Sequence, residues 1–587
     1  MHKRLLGLLT SAAVILAACG GATTTSAPPA ASGPAPSGDA SASPATGGLA
    51  AEQILNVDIA GEPPTLDPNA AQDSVSLTVL RALHRPLVYV NENLEVVPAL
   101  AESWEISDDA KTLTFTLRDA KYSNGDTIVA GDLVYGWKRL VDPRTAAPYS
   151  YVMAEVAGAG DLLAMAGADP LPADAEIEAA LEELGVAAPD DKTFVVTLDT
   201  PATYFLAAMT LWVTVPVQEK WITSEGATEA ANYVSSGPFM LDTWNHNAEI
   251  ILKPNPNWYG DVKPTLTEIH MSMSPEPAQA MAAYEAGEID MQLPVPSEDI
   301  ERIKGDPVLS AEYSEQSDLS ITYYNYNNGN DSTGKAKSER CQDVKACPTA
   351  NLNFRKALTQ AIDKTAFKNA TFAGLGLEAG TFVMPGIPGA TPDYEPYPYD
   401  LTAAKASMDL ALQELGYASA AEIPPLKFGF NTGSGHEPRV AFLAQAWVDA
   451  FGLQTEQIGS EFGVFLTQRT AGEYDIARNG WGADYPHANN QLNGLFNCGG
   501  GNNDQQYCNP AFDELLSQAA VESDQAAQVS LYEQAQKILA DDAASLFLRW
   551  GVGAQLVKPY VSGLTRLPMD SQVPGEHFYE TIQILEH

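Results

Sequence analysis

The chain has 587 residues, 45% of them hydrophobic and 18% charged, which is too much for one core and ordinary for a folded protein of several domains. Its formal net charge of −42 argues against nucleic-acid binding, which needs a basic face to displace counterions from phosphate. The charge keeps the chain soluble and away from anionic surfaces, and names no partner.

Lys3 and Arg4 precede an apolar run, Leu5 to Ala18, of signal-peptide length and too short to be a good membrane span. The run ends Leu16-Ala17-Ala18-Cys19-Gly20, which looks like the lipobox of bacterial lipoproteins, where the cysteine is lipidated and becomes the mature N-terminus. Residues 1–18 are therefore expected to be a signal peptide. Residues 19–50 are expected to be a lipidated Cys19 and a flexible linker, since Asp39 is the only charge among Gly, Ala, Ser, Thr and Pro. This layout predicts a body held by lipid at the extracytoplasmic face of a membrane.

Ile54–Val57 reads as the first strand, followed by a Gly61–Pro68 loop. Leu113–Arg118 alternates with period two, a half-buried strand, and Ser123–Asp126 is a turn. Leu133, Trp137, Leu140 and Val141 share one helical face. Residues 160–190, rich in Ala and Glu, read as a helical surface insertion ahead of the strand Phe194–Leu198. Ile250–Leu252 and Ile269–Met273 are further strands. Asn353 is the expected cap of a helix carrying Phe354, Leu358, Ala361 and Ile362, and Leu531, Ala535, Ile538 and Leu539 mark another. The alternation points to mixed α/β lobes.

Besides Cys19 there are four cysteines in two close pairs, which in an oxidising compartment predicts the disulfides Cys341–Cys347 and Cys498–Cys508. Zinc is disfavoured: neither spacing is CxxC and no histidine lies near in sequence. Gly329–Lys335 has the glycines and lysine of a phosphate loop, but Ala336 replaces the magnesium-holding hydroxyl. His436-Glu437 opens like a zinc-protease motif, yet Val440 stands where the second histidine belongs. No catalytic constellation, cofactor or metal is expected.

The most informative stretch is Asp475–His487. It begins as an apolar strand (Tyr474, Ile476) and is expected to break into a loop carrying Arg478, Trp481, Asp484 and Tyr485. Opposite charges six residues apart suit a zwitterionic ligand; an internal Arg478–Asp484 surface pair is the alternative.

Several segments, in order, resemble the extracytoplasmic solute-binding proteins of family 5, the oligopeptide-binding lipoproteins of bacterial ABC importers. They include Thr65–Pro68, Pro98–Trp104, Lys121–Asp126, Asp142–Tyr149, Ser236–Phe239, Gly287–Asp290, Ala477–Tyr485 and Leu556–Tyr560. The resemblance implies an α/β, two-lobed, periplasmic-binding-protein-like fold of class II with an additional domain inserted in lobe I. By order along the chain, lobe I would be 51–90, 195–325 and 552–587, the additional domain 91–194, and lobe II 326–551. A peptide would lie between the lobes as an added strand, bound through its main chain, and be passed to a permease. The resemblance assigns Asp484 to the peptide ammonium, and Arg478 and His436 to its terminal carboxylate. Tyr149, Ser74, Tyr485 and Trp481 match or adjoin cleft positions. A lysine that the family can use for the carboxylate is replaced here by Asn369–Phe372. A monomer without covalent chemistry is expected; an oligosaccharide ligand of the same fold and a secreted hydrolase are the alternatives.

Overall fold

The structure is a computed structural model that describes residues 47–168, 170–274, 276–329, 341, 345–432, 435–500 and 502–587. The expected signal peptide, Cys19 and most of the linker lie outside the described residues, as does the phosphate-loop-like segment beyond Gly329. Residues 47–50, expected to close the linker, instead pair with the C-terminus: Leu49 bridges Leu585, and Ala50 N–H donates to Ile584 O at 2.9 Å.

An eleven-stranded sheet runs through the body. Its order is Thr455–Ser460, Leu426–Asn431, Ile476–Gly482, Tyr313–Tyr326, Ser545–Val557, Met291–Gln292, Ile54–Asp58, Glu268–Ser272, Glu249–Pro254 and Phe239–Asn245, with Leu377–Glu378 added on Ser545–Val557. Period-two alternation sets the register at one end: Ile269 opposes Leu252 and Met271 opposes Ile250, all fully buried.

The two longest strands, Tyr313–Tyr326 and Ser545–Val557, hold the halves of this sheet together. Tyr313–Ser317 pairs with Leu556–Val552, and Ile321–Asn325 with Trp550–Ser545, but the register breaks between Ser317 and Ile321. There the Asp318 carboxylate turns back to accept from Ser320 N–H at 3.0 Å and from its hydroxyl. Gly551 makes the room, because a Cβ at that position would overlap the Asp318 carboxyl.

A separate four-stranded sheet is built from Ala101–Ile106, Thr112–Leu117, Thr193–Thr197 and Val186–Asp190. The helix Ala130–Val141 lays Leu133, Trp137, Leu140 and Val141 on it, and Trp137 meets the edge of Phe194 at 5.1 Å. Deleting such an aromatic costs about 3–5 kcal/mol. Residues 160–190 are helical only in part: after Ala159–Ala166 and Asp174–Glu182 the chain enters the edge strand Val186–Asp190. The helix Leu352–Gln360 is capped by Asn351 rather than Asn353. The Asn351 side chain reaches Phe354 N–H at 2.9 Å, whereas Asn353 faces outward and bonds Glu414. The helix Gln525–Asp541 forms as expected and buries Tyr532, Ala535 and Leu539.

Candidate functional site

A cleft of about 300 Å³ opens beside the register break. It is lined by Leu77 and Arg81, from the helix Ser74–Leu83, and by Tyr149 and Trp212. Asp318–Ser320, Gly482–Asp484 and Pro568–Asp570 complete the lining.

Asp484 enters this cleft from the residues just beyond the strand Ile476–Gly482. Asn490, in the first turn of the helix Ala488–Phe496, grips it twice. Its amide donates to Asp484 Oδ2 at 2.9 Å, and its oxygen accepts from Asp484 N–H at 3.1 Å. The Tyr149 hydroxyl lies 3.5 Å from Oδ1. Tyr149 is itself packed against Trp212 at 4.6 Å and Tyr151 at 5.3 Å between ring centroids. Among the described residues no cation pairs with Asp484, and burial raises its pKa above the ordinary carboxylate value. The Tyr149 phenol is pushed up to about 12, by burial first and then by the Asp484 charge.

Arg478 lies in the strand Ile476–Gly482, not in a loop as expected, because the ladder opposite Tyr313–Tyr326 continues from Tyr326–Ile476 to Ser320–Gly482. It stands opposite Tyr324. The half-buried Arg478 guanidinium has no hydrogen bond or ion pair among the described residues, so the internal pair with Asp484 does not form. Burial lowers its pKa, and nearby Arg469 and Arg439 lower it further. Arg469 is engaged elsewhere, 2.8 Å from Asp504 and 3.0 Å from Asn479.

His436 starts the helix Glu437–Phe451 and is 4% exposed. Arg439 Nη1 donates to its Nδ1 at 3.1 Å, which leaves the proton on Nε2, a buried donor without a partner among the described residues. Desolvation, then Arg478 and Arg439, push the imidazole down to about 4, so it is neutral at pH 7. Arg439 lies 4.2 Å over the Phe372 ring, and so does Arg549. Phe372 belongs to the segment where the sequence lacks the expected lysine; two arginines from elsewhere in the chain now converge on it.

The structure thus gathers Asp484 with Tyr149, and separately Arg478 with His436, and the strand 478–482 runs from one group to the other. The remaining expected residues stand apart. Trp481 projects from the face opposite Arg478 and packs on a core containing Tyr323, Phe382 and Phe547, with its indole N–H buried and unpartnered. Tyr485 is 8% exposed and packs in the core behind the cleft. Ser74 is on the cleft helix, but its hydroxyl accepts from Gln572 at 2.9 Å. Cys498 is bonded to Cys508 and Cys341 to Cys347. Trp212, Asn490, Arg439 and Arg549 were missed. Only Asn490, in the helix after the Asp484 loop, carried any local signal.

Residues 95–503 match the bacterial extracellular solute-binding proteins, family 5 Middle. The oligopeptide-binding protein OppA of Bacillus subtilis is 30% identical over 502 residues, covering 83% of this chain and 86% of that protein. The structure of MppA, a periplasmic murein tripeptide binding protein, in its unliganded open form superposes with a TM-score of 0.75 at 26% identity, covering 92% of this chain and 99% of that one. Haemophilus influenzae OppA in complex with RPPGFSPFR gives 0.67 at 28% identity, covering 92% and 100%. The match spans most of the chain and both halves of the sheet. This protein belongs to the bacterial extracellular solute-binding proteins of family 5.

Proposed function

We propose that the protein captures oligopeptides outside the cell, between two lobes, and delivers them to an ABC transporter permease. The observation that carries this reading is the separation of two charges by one strand: among the described residues, Asp484 is without a cation and Arg478 without an anion. Peptide termini supply the opposite pair. The carboxylate would receive the ligand ammonium; Arg478 and the His436 Nε2–H would receive the terminal carboxylate. The four-residue step from Arg478 to Gly482 spans about 13 Å, room for roughly four residues of extended peptide.

Tyr149 serves as a wall of the ammonium pocket, with Trp212 beside it. Ser74, Tyr485 and Trp481 act from behind that wall, as supports of the cleft. Lobe I is assigned to 51–90, 195–325 and 552–587, the additional domain to 91–194, and lobe II to 326–551. The register break at 318–320 is the hinge, and closure follows when a ligand bridges the lobes. Lipid on Cys19 would tether the monomer near its permease, and no covalent chemistry is involved.

Calorimetry with free and N-acetylated peptides of two to five residues tests the reading. Only the free peptides should bind; equal binding of both removes Asp484 from its role. A second reading, an oligosaccharide ligand, draws on the Tyr149, Tyr151 and Trp212 rings, which suit sugar stacking. Sugar binding that survives Asp484→Ala would select it.

A further inference from the structure

The cationic group around Arg478 has more donors than one peptide terminus can satisfy. Most other arginines shielded from solvent are engaged: Arg81 with Glu576, Arg85 with Glu580, Arg469 with Asp504, and Arg355 with four backbone carbonyls; Arg118, over the Tyr259 ring with no partner for its Nε among the described residues, is an isolated exception. Arg478 and Arg439 are different. The groups that bear on the Arg478 charge are two tyrosines and two arginines, and Arg439 faces Tyr324, His436 and the Phe372 ring. Neither has a carboxylate partner among the described residues, in a chain with 75 acidic side chains against 33 basic ones.

Three further polar atoms in the group are buried without a partner among the described residues: Arg439 Nε, His436 Nε2 and the Tyr324 hydroxyl. His436 and Tyr324 are 4% and 0% exposed, so the surface offers these atoms little remedy. Each guanidinium carries five N–H groups, and a carboxylate offers about four lone-pair positions. One terminal carboxylate can take the Arg478 fork and the imidazole N–H. It cannot also answer the fork of Arg439 and the phenol. Arg549, over the same Phe372 ring, adds positive charge, and among the described residues Asp318 is the anion that bears on it.

Resting on the peptide reading above, we propose that this group receives two anions, the ligand's terminal carboxylate on Arg478 and an acidic side chain on Arg439. The protein therefore selects peptides whose last residue is Asp or Glu. A zwitterionic peptide neutralises Asp484 and Arg478 and leaves Arg439 unmatched; the acidic residue removes that remainder. Arg439 is a specificity residue in this scheme, and Arg478 a general one.

The test compares isosteric peptides, Ala-rich and of two to five residues, ending in Glu or in Gln, by calorimetry on the wild-type protein. The Glu peptides are expected to bind at least about tenfold more tightly, or ~1.4 kcal/mol. A peptide of equal charge with Glu at its N-terminal position should show no such gain. In Arg439→Gln the Glu/Gln ratio should fall below about threefold, whatever the change in the affinity of the Gln peptide itself. A wild-type ratio near one overturns the proposal, as does a tenfold ratio that survives Arg439→Gln. Should that variant fail to fold, Arg439→Lys keeps the charge without the fork, and an unchanged ratio there also counts against a bidentate contact. If no peptide of any length binds, the peptide reading itself falls; if the Gln peptides bind and Glu adds nothing, only this inference does.

Discussion

The two charged ends of the site are held in opposite ways. Asp484 is surrounded by dipoles that already point at it: the Asn490 amide, and the Tyr149 hydroxyl. Arg478 is surrounded by charges and rings that do not accept from it, with Arg469 and Arg439 raising the local potential. A carboxylate solvated by neutral donors is oriented before the ligand arrives, and it loses little when the site is empty. A cation among cations is strained when empty and relieved by an anion. One end is therefore built for geometry and the other for charge, and substitutions should separate them.

The largest effect is expected at the oriented end. Asp484→Ala should weaken peptide binding by at least ~3 kcal/mol, since it leaves a desolvated ligand ammonium without a partner. Calorimetry reads this directly. Asp484→Asn, which keeps the shape and the Asn490 contact, should lose nearly as much; a mild effect would mean that shape rather than charge matters there.

At the strained end the signs should divide. Arg478→Gln should weaken peptide binding by about 2 kcal/mol, the scale of a hydrogen-bonded charge pair. It should also stabilise the empty protein by up to about 1 kcal/mol, because a half-buried, unmatched charge is removed. Chemical denaturation of the ligand-free protein checks the second half. Destabilisation would mean that Arg478 already has a counter-charge in the empty state.

A change at the proposed hinge, the register break at 318–320, should touch both ends alike. Gly551→Ala would drive the Asp318 carboxyl from its seat and break its bonds to Ser320, for a loss of roughly 1–2 kcal/mol in stability. Because the break lies between the halves of the sheet, ligand on-rates should change for free peptides and for Glu-terminated ones by the same factor, measured by stopped-flow fluorescence of the tryptophans. Unequal factors would place the two ends on independent motions.

Much of this was legible in the sequence wherever one short pattern decided the outcome. Period two gave the strand of Leu113–Arg118, short apolar runs gave Ile250–Leu252 and Ile269–Met273, and helical spacing gave Leu133 and Trp137, because local pattern and burial coincide there. The strand reaching Gly482 was cut short in the reading, since Asn479 and Gly480 look like loop residues until a partner strand pairs with them. Asp484 and Arg478 stood out through a family pattern. Arg439 and Arg549 did not: they come from segments about 110 residues apart, and only folding brings both over Phe372. Trp212 escaped for the same reason, since nothing in its own neighbourhood shows that Tyr149 will lie against it.

The smallest expected effect is a proton, and it separates the two ends by sign. In the empty protein the His436 imidazole sits at about 4, held down by burial and by the two arginines. The unfolded chain holds its histidine near the ordinary value of about 6.5. As pH falls from that value toward 4, the unfolded state takes up this proton first, so the stability due to neutral His436 is present above pH 6.5 and is lost progressively below it. A ligand carboxylate at Nε2 favours the imidazolium and raises that pKa, so binding near pH 5 should draw in a fraction of a proton. Asp484 works the other way: its pKa is raised by burial, and a ligand ammonium lowers it, releasing protons on binding at acid pH. Calorimetry at pH 5 in two buffers of different ionisation enthalpy gives the net count, and His436→Gln isolates one contribution. The variant should take up fewer protons than the wild type at pH 5, with the difference vanishing by pH 7.5. No difference at pH 5 would place the ligand carboxylate out of reach of His436, leaving Arg478 as its sole partner.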